Sequence, residues 1–262
     1  MKDTIKIGTV NLQNNKTNRK GGLRVDGTDT SKLVAQHIEE EQFDILGSQE
    51  LTRNFVNNIT SKLVNYKLYG NYRYGSSPLA RLPFINDFNE NNNIVTSNEV
   101  IEEKTKSLPF VPNDIAGLKT SLLKASIMPR IATIIVTKDK NGNMLCAINT
   151  HLEYEIPSVQ IRQLNFLKGI IEQYSKKYPI VLTGDFNMEI GVEHFDKFNS
   201  ELNGIGLKKV EVNEKTNADK FPNRTAIDHI FIPENWDVVN KGLNETKDVT
   251  DHKEVYAEVR RK

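Results

Sequence analysis

Short apolar stretches rich in β-branched residues recur along the chain at residues 5–10, 43–48, 93–97, 131–137, 144–149, 179–183, 227–232 and 255–259. Each has the length of a strand, and several are bounded by Gly, Asn, Asp or Pro, which end strands in turns. Between them the apolar spacing becomes helical. Residues 28–41 put Leu33, Val34, His37 and Ile38 on one side, behind a Thr- and Asp-rich start suited to capping. Residues 54–64 predict a second helix. Residues 157–174 predict a third: Pro157 fits a first helical turn, and Ile161, Leu164, Leu167, Ile170, Ile171 and Tyr174 form one apolar stripe. His37, on such a face, is read as an ordinary surface or core histidine without a role.

Strands interleaved with helices imply an α/β fold. The neighbouring strands at 131–137 and 144–149, joined through Asn141-Gly142, imply a hairpin and hence mixed sheets covered by helices. There is no internal repeat and no low-complexity linker, so residues 1–262 are expected to form a single domain. Asn14-Asn15, residues 89–93 and residues 108–117 read as loops over a site.

At 262 residues, 37% hydrophobic and 26% charged, the composition is that of a globular protein and excludes a disordered chain. Burial of roughly 70–75% of the extended-chain surface is expected at this size, without staples. The 35 Lys and Arg nearly cancel the 34 Asp and Glu, for a net charge of +1. Duplex-binding proteins usually show a basic surplus or face, whereas Arg19-Lys20 with Arg24, and Lys176-Lys177, read as solvated surface. The lone cysteine, Cys146, lies in an apolar run and reads as a buried core thiol, without disulfides to suggest an oxidising compartment. With no apolar leader and no stretch long enough to span a bilayer, a cytoplasmic location, no membrane contact and no obligate protein partner are expected.

Polar residues stand repeatedly at the carboxyl ends of the predicted strands: Asn11, Gln49-Glu50, His151 and Gly184-Asp185-Phe186-Asn187. Ligands gather at such strand ends in α/β proteins. With Thr150-His151-Leu152, Ile227-Asp228-His229-Ile230 and Thr250-Asp251-His252, these blocks follow the order found in the endonuclease/exonuclease/phosphatase superfamily, which the chain resembles from residue 5 to residue 259. That group includes deoxyribonuclease I, exonuclease III-type AP endonucleases, neutral sphingomyelinases, inositol polyphosphate 5-phosphatases and nocturnin-like deadenylases. Gly-Asp-Phe-Asn alone is moderately specific and Asp-His alone is weak; six blocks in order are specific.

The resemblance implies a deoxyribonuclease I-like four-layer α/β sandwich: two mostly antiparallel β-sheets packed face to face, with helices on the outside. It also implies hydrolysis of phosphate esters with Mg²⁺ or Mn²⁺. Such chemistry needs neutralised charge and an oriented water, and a hard cation with oxygen ligands suits it better than zinc. By resemblance Glu50 holds the metal, helped by Asn11 and, in some members, Asp251. Asp185 orients or deprotonates the water, Asn187 holds the water or a phosphoryl oxygen, and His151 and His252 contact the phosphoryl group. Asp228 fixes one imidazole, though which carboxylate pairs with which histidine is open. Arg130 matches a phosphate-contacting arginine, with a surface arginine as the competing reading; Asn93, or Asn92, would lie near the scissile phosphate. A salt-bridged strand-end carboxylate for Glu50, and an Asx turn for Asp185 and Asn187, are the bland alternatives. His229 stands where an aromatic is usual, and strand alternation is expected to point it away.

Gln13 replaces an acidic residue frequent in AP-endonuclease-like members, and Thr250 replaces the commoner Ser. Residues 66–122 are the least recognisable; Tyr69, Tyr72, Tyr74, Phe84, Phe88 and Phe110 could stack a base or sugar, but a satellite core is the preferred reading. The expected activity is therefore a phosphatase or phosphodiesterase acting on a phosphorylated small molecule. The alternatives are a nuclease acting on DNA or RNA, and a non-catalytic relative that only binds a phosphorylated ligand. Sphingomyelin hydrolysis is disfavoured, for want of a membrane-contacting hairpin.

Overall fold

Two βαβ crossovers organise the chain. In the computed structural model, β1 (Ile5–Asn11) runs parallel to β2 (Ile45–Leu51), and α1 (Lys16–Arg19) and α2 (Thr30–Glu41) lie between them in sequence. The second crossover joins β7 (Met144–His151) to the parallel β8 (Ile180–Asp185) through α4 (Pro157–Ser175). The residues described are 4–13, 16–75, 89–114, 119, 128–212, 214–216, 226–246 and 249–262. α2 begins where Asp29 accepts from the Ser31 and Lys32 amides, satisfying donors a helix start leaves free, and ends with Gln42 in a left-handed conformation.

Antiparallel strands extend each parallel pair. β3 (Lys67–Tyr69), β4 (Asn91–Thr96), β11 (Asp237–Asn244) and β12 (Glu254–Arg260) complete one six-stranded sheet, ordered β11-β12-β1-β2-β4-β3. β5 (Glu99–Leu108), β6 (Arg130–Lys138), β9 (Leu207–Lys209) and β10 (Asp228–Pro233) complete the other, ordered β5-β6-β7-β8-β10-β9. Ile7, Ile45, Ile94, Leu145, Val181, Ile230 and Val255 fill the space between the sheets. Outside the first sheet, α2 and α3 (Arg53–Thr60) bury Val34, Ile38, Phe55 and Ile59 against Val10, Leu46 and Val95. Outside the second, α4 and α5 (Glu193–Gly204) bury Leu164, Leu167, Ile171, Phe195 and Phe198 against Ile148, Leu182 and Phe231. Three apolar seams thus join four layers, as the resemblance implies.

The predicted strands are present, most of them running a residue or two beyond the apolar stretch that signals them. Strand β4 reaches back to Asn91, so Asn91 to Asn93 are sheet and not loop. Ile161 leaves the stripe assigned to it: it is 42% exposed, and Val159, Gln160 and Gln163 take the buried face of α4 instead. Cys146 is buried in the core, where burial pushes its thiol pKa up. Phe84 and Phe88 fall outside the described residues.

This topology positions the strand ends. In register, Asn11 pairs with Gln49 and His151 with Asp185, so both parallel pairs finish at carboxyl ends carrying polar side chains. β10, antiparallel to β8, starts opposite Asp185 with Asp228.

Candidate active site

Around these strand ends the backbone departs from regular strand geometry at Glu50, Gly184 and Asn187. Glu50 follows the inward-facing Gln49 and would point the other way in a regular strand. The pairing of β2 with β4 shifts between Ser48 and Leu51, and Glu50 adopts φ 62°. A bulge with a left-handed residue re-aims the side chain, and such strain is typical of functional sites. At the end of β8 a side chain at Gly184 would place its Cβ 2.3 Å from the Thr150 carbonyl oxygen, so only glycine lets β8 approach β7 here. Asn187 takes φ 55°, which asparagine tolerates. Phe186 anchors the turn from beneath, packed among Phe195, Phe198 and Phe231.

Asp185 is at the centre and 1% exposed. Its Oδ1 accepts from the Asn187 backbone N–H at 2.8 Å and its Oδ2 from the Asn11 amide at 3.0 Å. The same Asn11 nitrogen donates to Glu50 Oε1 at 3.0 Å, so the two carboxylates lie no more than 6.0 Å apart. His151 Nε2 stands 3.8 Å from Asp185 Oδ2, within charge contact but beyond a hydrogen bond. Burial and the neighbouring Asp228 carboxylate raise the Asp185 pKa to about 7.

The histidines sort with their partners, a matter the sequence leaves open. Asp228 Oδ2 accepts from His252 Nδ1 at 3.0 Å and from the Thr216 hydroxyl at 2.7 Å. Burial opposes charge on His252, yet Asp228, aided by Asp185 and Asp251, overrides it and raises its pKa to about 10. His252 is therefore an imidazolium at neutral pH, held at Nδ1 with Nε2 left to face a ligand. His151 is the opposite case. Burial and the Arg130 guanidinium hold its pKa well below 6.5, and Arg130 Nη1 lies 3.1 Å from its Nδ1. Because arginine only donates, Nδ1 must accept, and the neutral ring carries its proton on Nε2, towards Asp185.

The other expected residues make contacts that the sequence did not reveal. Arg130 is 5% exposed, which sets aside the surface reading, and its Nη1 lies 3.1 Å from His151 Nδ1. Asn93 directs its amide to the Tyr69 carbonyl at 3.3 Å, and no described contact of its side chain reaches the Asp185 cluster. Asn92 likewise turns to the Ile131 carbonyl. Asn11 presents its amide nitrogen to the two carboxylates, while its oxygen accepts from the Gln13 N–H at 2.9 Å. Asp251 is half-buried, and its charge acts on His252. His229, as expected, points away: it bonds the Met188 carbonyl at 2.8 Å and stacks on Phe195. Sequence reasoning missed Thr216, which clamps Asp228, and the Arg73–Glu90 ion pair. Neither has a local signature, since both act only through partners distant along the chain.

Asp185, Asp228 and His252 each offer a ligand atom, all within 4.8 Å of one another. The His252–Asp228 hydrogen bond already occupies that space, and a protonated imidazole is no metal ligand. The Glu50 side, where two carboxylates converge on a neutral amide, suits a hard cation better.

The model of the Endonuclease/Exonuclease/phosphatase family matches residues 8–252. The chain belongs to that family. No curated protein matches it in sequence. Among solved structures it is similar to a family protein of Bacteroides vulgatus, at 19% identity over 99% of both chains with a TM-score of 0.78. A mannosyl-6-phosphatase of Bacteroides thetaiotaomicron shares 21% identity over 97% of this chain and 99% of its own, with a TM-score of 0.72. A D. rerio TDP2 complexed with single-strand DNA product shares 14% over 98% and 99%, with a TM-score of 0.69. At these identities the likeness shows the family's fold, which carries both phosphatases and proteins that hold DNA.

Proposed function

We propose that residues 1–262 form one catalytic domain that hydrolyses a phosphate ester by attack of water on phosphorus. The observation that carries this is the opposed pair of buried carboxylate–histidine sets: Asp185 beside neutral His151, and Asp228 on cationic His252. One set favours removing a proton and the other favours stabilising or donating one, which is the division of labour an acid–base hydrolase needs.

In this scheme Asp185, held by Asn11 and the Asn187 N–H, takes the proton of the attacking water. Asn187 gives an amide hydrogen to the Leu152 carbonyl at 3.1 Å and offers its Oδ1 to that water. His151 donates Nε2–H to a phosphoryl oxygen, its orientation set by Arg130. His252 gives the opposite phosphoryl oxygen a full positive charge and has a proton for the departing oxygen. Mg²⁺ or Mn²⁺, when bound, would neutralise charge developing on the phosphoryl group. Glu50 would hold it, and Asn11 would join through the amide oxygen that now accepts from Gln13. Asp251 serves His252 as a charge in preference to serving as a ligand.

The proposed substrate is a phosphorylated small molecule. A net charge of +1 provides no basic surplus for a polynucleotide backbone, and Arg73 and Arg130 are buried. The deciding experiment is a hydrolysis panel in Mg²⁺ and in Mn²⁺: sugar and nucleotide monophosphates, bis(p-nitrophenyl) phosphate, a plasmid and a single-stranded oligonucleotide. Phosphate release from monoesters supports the small-molecule assignment. Cleavage of DNA, lost in His252→Ala, would replace it with a nuclease.

A further inference from the structure

Directly beneath the reacting groups, between the sheets, lies a layer of buried amides and hydroxyls that the chemistry above does not use. Asn149 is 0% exposed, and all of its amide capacity is engaged. Its Nδ2 donates to the Ser48 carbonyl at 3.0 Å and the Asn93 carbonyl at 2.8 Å, both on the opposite sheet. Its Oδ1 accepts from Gln49 Nε2 at 2.7 Å, and the Thr183 hydroxyl lies 3.2 Å away. Gln49 Nε2 also reaches the Thr9 hydroxyl at 3.0 Å. The layer therefore ties β2 and β4 of one sheet to β7 of the other, with Thr9 on β1 and Thr183 on β8 bracing it from within each sheet.

Its positions along the chain follow a rule. Thr9 stands two residues before Asn11, Asn149 two before His151, and Thr183 two before Asp185. Residues two apart share a face of a strand, so each of these catalytic strands carries a linking residue one step below its reactive one. Gln49 is the immediate neighbour of Glu50, within the bulge between Ser48 and Leu51. Gly47 leaves room for the crossing: a Cβ there would lie 2.3 Å from Thr183 Oγ1 and 2.5 Å from Asn149 Oδ1.

We propose that Gln49 and Asn149, with Thr183 bracing Asn149 from the neighbouring strand, form an inter-sheet clasp that sets the separation between the Glu50–Asn11 half of the site and the His151–Asp185 half. Packing alone does not account for it. A buried polar network with an incomplete member is inferior to an apolar core, and Gln49 Oε1 has no hydrogen-bond partner among the described residues. What the amides supply and apolar side chains cannot is a directional link between the sheets at the level just beneath the reacting groups, where the remaining contacts are apolar and non-directional. The clasp residues touch no substrate and act only by positioning.

The inference rests on the hydrolase function proposed above, and the test separates the two. Gln49→Met keeps side-chain volume while removing the bond across to Asn149, and Thr183→Val removes the brace on Asn149; Thr183→Ser keeps the hydroxyl. Crystal structures of the wild type and both apolar variants would be compared for the distance between the Glu50 and Asp185 carboxylates. Kinetics on bis(p-nitrophenyl) phosphate or the best monoester would follow. The clasp predicts a change in that distance of about 1 Å and a kcat loss of roughly tenfold to a hundredfold with KM little changed, with kcat restored in Thr183→Ser. An unaltered distance in both variants overturns the clasp, whatever the kinetics. A wild type that hydrolyses nothing counts against the hydrolase function, while the measured distance still decides the clasp.

Discussion

Replacing Asp228 by Asn keeps an oxygen that can accept from Thr216 and from His252 Nδ1, but deletes the charge between His252 and Asp185. Asp228 is the strongest influence raising the His252 pKa to about 10, against burial, which is the largest effect and lowers it. Without that charge, burial is opposed only by the Asp185 and Asp251 charges, so the His252 pKa falls. The imidazolium fraction at pH 8 falls with it, and kcat/KM there is expected to drop by roughly tenfold or more. The same charge raises Asp185 to about 7, so its loss also frees Asp185 to ionise at lower pH. Activity requires Asp185 deprotonated and His252 protonated, so its rising limb follows the first group and its falling limb the second. Both limbs move to lower pH in the variant. The assay is the pH profile of kcat/KM, paired with direct titration of the His252 ring by NMR. A falling limb that stays in place, or a ring that titrates alike in both proteins, would refute the assignment of Asp228 as the group that charges His252.

Three further outcomes follow from other parts of the molecule. Asp185→Asn removes a buried carboxylate next to Asp228, so Tm should hold or rise while turnover falls by roughly a hundredfold or more; near-normal turnover excludes Asp185 as the base. His229, buried and neutral with its pKa lowered to about 4, is protonated more readily in the unfolded chain. Its stability contribution is intact above pH 6.5 and declines by about 3 kcal/mol as pH falls towards 4; urea melts of wild type and His229→Phe at pH 7 and 4.5 would show the slope reduced in the variant, and equal slopes would contradict it. Phe186→Ala empties the centre of a ring cluster and should cost about 3–5 kcal/mol, a loss that the same melts would read; a cost under about 1 kcal/mol would show that the cluster does not anchor the Asp185 turn.

Strands buried on both faces were legible in the sequence because burial demands continuous apolar runs, as in β6 and β7. The strands that escaped are β3, β5, β9 and β11, each at the end of its sheet. Glu99–Leu108 carries Glu and Lys along an exposed face, a composition that protects an edge from pairing with another chain and hides it from an apolar pattern. α5 did carry a signal, in the spacing of Phe195, Phe198 and Leu202, although Val192 provides no side-chain cap to mark its start. Asn11, Glu50, His151 and Asp185 could be singled out because parallel pairs deliver their polar ends to one edge. The Arg130–His151 contact and the Thr216 clamp could not, because a hydrogen bond between residues brought together only by folding leaves no local trace.

The proposed hydrolysis at the Glu50–Asp185 centre depends on a divalent metal. Its most direct test is the initial rate on the best ester of the panel, measured for wild type and Glu50→Gln, in EDTA and then with Mg²⁺ or Mn²⁺ restored. Expected are no turnover in EDTA, full recovery of the wild type on adding the metal, and a Glu50→Gln variant that folds normally but needs far more metal or does not recover. Turnover that persists in EDTA, or a variant with the metal response of the wild type, would contradict it.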